Sequence, residues 1–314
     1  MMRILSLALL SLLLMACSET QQQWRGELNT FYSYQLYQDG QRLSVYHLSQ
    51  KLSDADVILV GEWHSHAGVH KFQTDLLHQL HSRGYPLILA MEQFSRDSQP
   101  VMDDYLNDKV GEQTLVKKGK AWSSYESDYR PLVEYAKSAG IDVIAANAPA
   151  DIIRCISKEG IGFLDTLKPE QRHYVAAKVD TGKSAYKDKF TKAMQHGSDE
   201  MVERLYAAQI SRDATMAESI VKALKQSPGA KVMFVGGKFH TEGGLAMGSE
   251  IKRLDPELNV VVIDPVNSAS DESSDPYQLM VMPLPARYLQ GEKPEFAHKS
   301  AGKKGSLLCS PEKK

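Results

Sequence analysis

The sequence predicts an α/β fold: a mainly parallel sheet with helices on both faces and a helical cap insert. Three observations carry that reading. Apolar runs at residues 57–60, 85–91, 141–146, 231–235 and 259–263 do not alternate polar with apolar residues, as expected of strands buried on both faces. Segments with apolar residues at helical spacing separate them. The stretch from about 150 to 226 carries helical patterns and no strand.

Taken in order, residues 31–46 alternate around Asp39-Gly40, a hairpin signal, and 48–55 reads as a short helix. The run Val57-Ile58-Leu59-Val60 is the first core strand. Val69, Phe72, Leu76, Leu77 and Leu80 then fall at helical spacing in a helix over 67–83, stopped by Gly84. The second strand covers 85–91. Ser98-Gln99-Pro100 opens the next helix, with proline in its first turn. Residues 111–127 are mixed, and Tyr129-Arg130-Pro131 opens a helix that Gly140 closes. The third strand, 141–146, leads into a helix over 150–157. Within the insert, 163–175 and 198–224 read as helices around a polar segment, 179–197. Strands at 231–235 and 259–263 flank a helix over 243–254, and a sixth strand covers 279–282. The reading is one α/β domain over 28–290 and a loose tail over 291–314.

The N-terminus stands apart. Arg3 precedes an apolar run of about 13 residues, shorter than the ~20 needed to span a bilayer. It reads as a secretory signal over 1–16. Leu14-Met15-Ala16-Cys17 resembles a lipobox, which makes Cys17 the lipidated first residue and 17–27 a tether. Cys155 lies in a helical pattern and Cys309 in the tail, and both are expected to be unpaired thiols. The net charge of −2 and a pI near 6.6 argue against a general nucleic-acid partner.

The polar residues that end the apolar runs locate a site. Glu62 and His64, Glu92 and Gln93, Asn147, His240 and Asp264 all fall at strand carboxyl ends, where open α/β sheets bind ligands. Gly61-Glu62-Trp63-His64 and Gly237-Lys238-Phe239-His240 repeat one pattern on distant strands. Glu62, His64 and His240 can ligate a divalent metal. Alternatively Glu62, His64, Glu92 and His240 perform acid–base hydrolysis, one glutamate orienting a histidine while the other takes a proton. The plainer alternative is that they cap helices and satisfy loop backbone. His66 and His70 can supplement the site, His78 and His81 read as solvated, and His196 as an exposed loop residue. Trp122, Tyr125 and Tyr129 read either as a packed helix face or as a source of a phenolate for haem iron.

Five motifs bring a resemblance. They are Val60-Gly61-Glu62-Trp63-His64, Met91-Glu92-Gln93, Ala146-Asn147-Ala148-Pro149, the run from Ala208-Gln209-Ile210-Ser211-Arg212-Asp213 to Ala217, and Gly236-Gly237-Lys238-Phe239-His240. Together, behind a lipobox, they resemble the ChaN-like haem-binding lipoproteins, which group with erythromycin esterases and TIKI-type metalloproteases. The resemblance implies a bacterial outer-membrane lipoprotein of haem or iron uptake, with a haem-uptake receptor as candidate partner. It implies two haems face to face in a homodimer. Each iron takes a tyrosine of one subunit, and a His and a Lys of the other bind propionates. Tyr129 and Tyr125 are the candidates for that tyrosine, then Tyr186, and Lys183, Lys187 and Lys189 suit propionates. The wider group implies a metal-dependent hydrolytic site at Glu62, His64, Glu92 and His240. Haem binding is the first reading and hydrolysis of an ester or peptide the alternative.

Overall fold

The structure, a computed structural model, describes residues 28–194, 197–269, 275–292 and Cys309. Strands β1 (Tyr34–Gln38) and β2 (Gln41–Leu43) form the hairpin, turning at Asp39 and Gly40 with φ of 50° and 71°. The chain continues through α1 (Val45–Lys51), β3 (Val57–Glu62), α2 (Ala67–Ser82), β4 (Leu87–Ser95), α3 (Gln99–Leu106), α4 (Glu112–Lys118), α5 (Arg130–Ala139) and β5 (Asp142–Asn147). The insert holds α6 (Ala150–Glu159), α7 (Pro169–Arg172), α8 (Ala185–Ala193) and α9 (Asp199–Gln226). Then come β6 (Lys231–Gly237), α10 (Lys238–Thr241), α11 (Met247–Leu254), β7 (Val260–Val266) and β8 (Tyr277–Val281).

One sheet contains all eight strands, in the order β2-β1-β8-β7-β3-β6-β4-β5. The six strands from β8 to β5 are parallel, and β1 joins antiparallel to β8. Alternation within each strand splits the core in two. Ile58, Val60, Leu89, Met91, Met233 and Val235 pack against α2 and α5. Val57, Leu59, Ile88, Ala90, Val232 and Phe234 pack against α9 and α11. Phe72, Leu76 and Leu80 of α2 are fully buried, and truncating any of them to alanine costs about 2–5 kcal/mol.

Helix α9 has two jobs. Met216, Ala217, Ile220 and Val221 cover the sheet. Ser219 reaches the Ala146 carbonyl at the end of β5 (2.9 Å), so the preceding turns stand past the strand ends. There Ala207 and Ala208 pack with α6, and Val202, Tyr206 and Ile210 pack with Tyr186 and Phe190 of α8. At the outer strand β5, the Gln99 side chain donates to the Val143 carbonyl (2.9 Å) and accepts from the Ala145 amide (2.7 Å).

Several boundaries differ from expectation, each for a local reason. Helix α1 starts at Val45 because Ser44 caps it, accepting from the His47 amide (3.2 Å). The helix expected over 163–175 is two short pieces, a 3₁₀ turn (Ile161–Thr166) and α7, broken where Pro169 follows Lys168 in extended backbone. The polar segment 179–197 contains α8, capped by Ser184. The cysteine expectation is corrected: Cys155 and Cys309 form a disulfide with Cα atoms 5.0 Å apart. Cys309 packs beside the Ile152, Ile153 and Ile156 cluster, and a pairing 154 residues apart leaves no local pattern to read.

Gly61 marks where the site begins. A Cβ there would stand 1.9 Å from Asp264 Oδ1 and 2.4 Å from Thr241 Oγ1. Gly61→Ala is therefore expected to destabilise by about 1–3 kcal/mol or more, read by thermal or urea unfolding. An alanine variant as stable as the parent would refute the close approach.

Candidate functional site

The site lies at the carboxyl ends of β3, β4 and β6, where backbone paths diverge and side chains can converge. It is built of two linked clusters. Glu62 closes β3, 2% exposed. Its Oε1 accepts from Tyr129 Oη (2.6 Å), Gln93 Nε2 (3.0 Å) and His64 Nδ1 (2.8 Å). Its Oε2 accepts from Gln73 Nε2 (2.7 Å). The carboxylate therefore accepts four hydrogen bonds, three at Oε1 and one at Oε2. His64 is the exposed member, half of its side chain being open to solvent. With Nδ1–H given to Glu62, its Nε2 is free. The hydrogen bond to Glu62 raises the His64 pKa, and burial partly opposes it.

The second cluster is buried. His240 Nδ1 meets Asp213 Oδ1 of α9 (2.6 Å), and Nε2 meets Glu92 Oε1 (3.2 Å). Glu92 Oε2 accepts from the Gly237 amide (2.7 Å), and Asp213 Oδ2 accepts from Tyr186 Oη (3.0 Å). Burial alone would push the imidazolium down. The Glu92 and Asp213 carboxylates outweigh it and raise His240 to about 10. Burial would likewise raise Glu92, but the adjacent imidazolium and the Gly237 amide hold it at about 2. Gly237 joins the clusters. A Cβ there would stand 3.0 Å from His64 Nε2 and 3.5 Å from Glu92 Oε2, so glycine leaves the space between them open.

The pH dependence follows. Glu92, lowered from 4.5 to about 2, stabilises fully above 4.5, and that contribution is lost as pH falls through 2. His240, raised from 6.5 to about 10, stabilises fully below 6.5, and that contribution is lost as pH rises through 10. Both are complete between 4.5 and 6.5. The stability gap between parent and His240→Gln is expected to shrink steadily from pH 6.5 to 10. A constant gap across that window, measured by thermal unfolding, would contradict the imidazolium assignment.

Glu62, His64, Glu92 and His240 are thus brought together. The metal expectation finds no support. Among the described residues no three His, Cys, Asp or Glu side chains are placed to hold an ion. Glu62 Oε1 already accepts three hydrogen bonds, and both nitrogens of His240 are engaged. Two of the three candidate haem tyrosines have engaged hydroxyls, and the buried Tyr125 hydroxyl has no hydrogen-bond partner among the described residues. Tyr129, with no exposed surface, donates to Glu62. Tyr125 is buried against Phe94, and Tyr186 donates to Asp213. All three tyrosines are buried in this arrangement. His66 is no site residue either. Its Nδ1 caps α2 at the Gly68 amide (3.2 Å), and its Nε2 donates to the Met282 carbonyl (2.8 Å). His70 braces the first cluster, donating to the His64 carbonyl (3.0 Å). Cys17 and His196 lie outside the described residues.

Asp213 and Gln73 carried no role in the sequence reading. Both sit buried on apolar helix faces, Asp213 beside Ile210, Ala214 and Ala217, and Gln73 beside Val69, Phe72 and Leu77. A charge or amide inside such a stripe needs a partner, and that signal was present.

A family model described as haem-binding uptake, Tiki superfamily, ChaN, matches residues 48–251, well over half of the chain. The chain belongs to this family. The site clusters all lie inside the matched span. Among solved structures the chain is similar to ChaN of Campylobacter jejuni, described with cofacial haem. The TM-score is 0.62 at 18% identity, covering 80% of this chain and 97% of that one, a likeness of fold. An erythromycin esterase, EreC, aligns over 80% of this chain and 83% of its own at a TM-score of 0.45 and 12% identity. Protein RETICULATA-RELATED 5, chloroplastic, of Arabidopsis thaliana is 24% identical over 194 residues, 57% of this chain. The chain spans about a quarter of that relative's length, 26%.

Proposed function

We propose that this protein binds haem as a lipid-anchored member of its family in the bacterial outer membrane, handling haem for uptake. The family match over residues 48–251 carries the reading. The lipobox at Cys17 and the Cys155–Cys309 disulfide support an oxidising compartment outside the cytoplasm.

The buried cleft tyrosines direct the haem elsewhere within the matched span. A groove of about 710 Å³ runs beside β5, lined by Leu106, Val143, Ile144, His173, Tyr174 and Lys222. Tyr174 is partly exposed and its ring lies tilted by 40° against that of His173, with centroids 4.0 Å apart. Neither its hydroxyl nor the Lys222 ammonium makes a hydrogen bond or ion pair to another described residue. This donor set fits haem: a phenol for iron, an ammonium and an imidazole for propionates, and an apolar wall for the ring. Bound there, haem supplies the iron chemistry, while the protein orients it and screens one face. The groove borders the outermost strand, and the homodimer of the family reading would close over it.

Haemin titration followed by visible absorbance tests the reading. A saturable Soret band is expected, with affinity at least about ten-fold weaker in Tyr174→Phe and unchanged in Tyr129→Phe. Non-saturating changes in the parent would sink haem binding. Loss in Tyr129→Phe alone would move the ligand back to the cleft.

One observation favours a second reading, hydrolysis of an ester or peptide. His64 presents a free Nε2 beside an imidazolium at His240, a base and a fixed positive charge on either side of Glu92. Turnover of an ester and peptide panel, lost in His64→Ala, would establish it. No turnover in the parent would remove it.

A further inference from the structure

We propose that the face formed by residues 31–32 and 284–289 docks on the surface of a lipid bilayer, resting on the reading of Cys17 as a lipid anchor. Two segments distant in sequence build this face. Tyr34 of β1 pairs with Val281 of β8, so the residues before β1 and after β8 emerge at the same end of the sheet. His66 ties them together. Its ring lies 5.6 Å from that of Phe31, and its Nε2 holds the Met282 carbonyl. The Phe31 and Ser33 carbonyls press on Gly68, where a Cβ would meet them at 2.8 and 2.9 Å.

The side chains thrown outward from this junction are apolar. Phe31 is 40% exposed, Tyr32 67%, Leu284 41%, Tyr288 51% and Leu289 69%. Among the described residues only six large hydrophobic side chains are that exposed, and five of them fall in these two short segments. Arg287 stands exposed among them. Aromatic rings, leucines and an arginine on a surface loop are the composition of the headgroup boundary. A patch of this kind on a folded domain calls for a partner.

The occupant follows from the tether. Leu28 is buried against Tyr37 and Met280, which fixes the point where the described chain begins, three residues before Phe31. The eleven residue steps from an acylated Cys17 to Leu28 span at most about 40 Å. A domain of this size has a radius of gyration near ~18 Å, so the tether is shorter than the domain is wide. The side nearest the bilayer is then the side that carries Phe31 and Tyr32. A protein partner would have no reason to share that constraint.

Docking also fixes orientation. Trp63 packs on His66 (5.9 Å between rings), and His64 lies two residues from His66. The shoulder of the cleft would therefore sit at the bilayer surface.

The test is vesicle flotation with the chain starting at residue 18, which keeps every described element. Vesicles contain phosphatidylethanolamine and phosphatidylglycerol. The parent is expected to float, and Leu284→Ser with Leu289→Ser to lower the bound fraction at least about five-fold. Tyr32→Ser should weaken it, and Met201→Ser, exposed outside the patch, should not. Equal thermal unfolding of all four excludes misfolding as the cause. A parent that stays at the bottom, or patch variants that float as it does, would overturn docking. The mass of the mature N-terminus separates the two readings. An unmodified Cys17 with a floating soluble chain removes the anchor and leaves the docking face. An acylated Cys17 with a soluble chain that does not float removes the face and leaves the anchor.

Discussion

Glu62→Leu is expected to lower stability by about 3–6 kcal/mol, a large part of what a domain has in reserve. The carboxylate is the common acceptor for Tyr129, Gln93 and Gln73, all buried. A leucine of similar size fills the space but accepts nothing. Each stranded donor then costs about 1–3 kcal/mol, while His64 recovers hydration because it is half exposed. Glu62→Gln keeps one acceptor oxygen and should lose clearly less. Adding Tyr129→Phe to Glu62→Leu should restore about 1 kcal/mol, since it removes one of the stranded donors. Urea unfolding of the four proteins decides the matter. A leucine variant within 1 kcal/mol of the parent would show that the donors find water or other partners, and the cluster would lose its central acceptor.

The second large effect concerns the bridge between α6 and the C-terminal segment. Cys155→Ser is expected to cost about 3–5 kcal/mol under oxidising conditions. The bonded residues are 154 positions apart, so the bond removes much freedom from the unfolded chain. The parent treated with a thiol reductant should unfold at the same temperature as the serine variant. Equal midpoints for the oxidised parent and the variant would mean that the bond contributes nothing to stability. Loss of the bond should also loosen the Ile152, Ile153 and Ile156 cluster, seen as faster amide exchange in α6.

The parallel sheet was legible because buried strands read as apolar runs and their polar ends stand out. Glu62, Glu92 and His240 were found that way, and all three lie where the strands open. The missing partners came from helices. Asp213 and Gln73 are set by a period of 3.6, and a list of strand ends never reaches them. The disulfide and the covering of Tyr129 depend on chain paths that meet only after folding. A tyrosine at helical spacing looks the same whether its hydroxyl meets solvent or a carboxylate. That is why Tyr125 and Tyr129 looked available to iron and are instead enclosed.

The Gln99 amide bears on how copies of this protein can associate. By bonding the Val143 carbonyl and the Ala145 amide, it stands where the backbone of another strand would stand. An incoming chain that sought to lengthen the sheet at β5 would have to evict it and replace both bonds. Growth of the sheet from one molecule into the next is therefore blocked at the border it would use. Two molecules that meet on that side would be held by side chains or by a group bound between them, not by strand pairing at Val143 and Ala145.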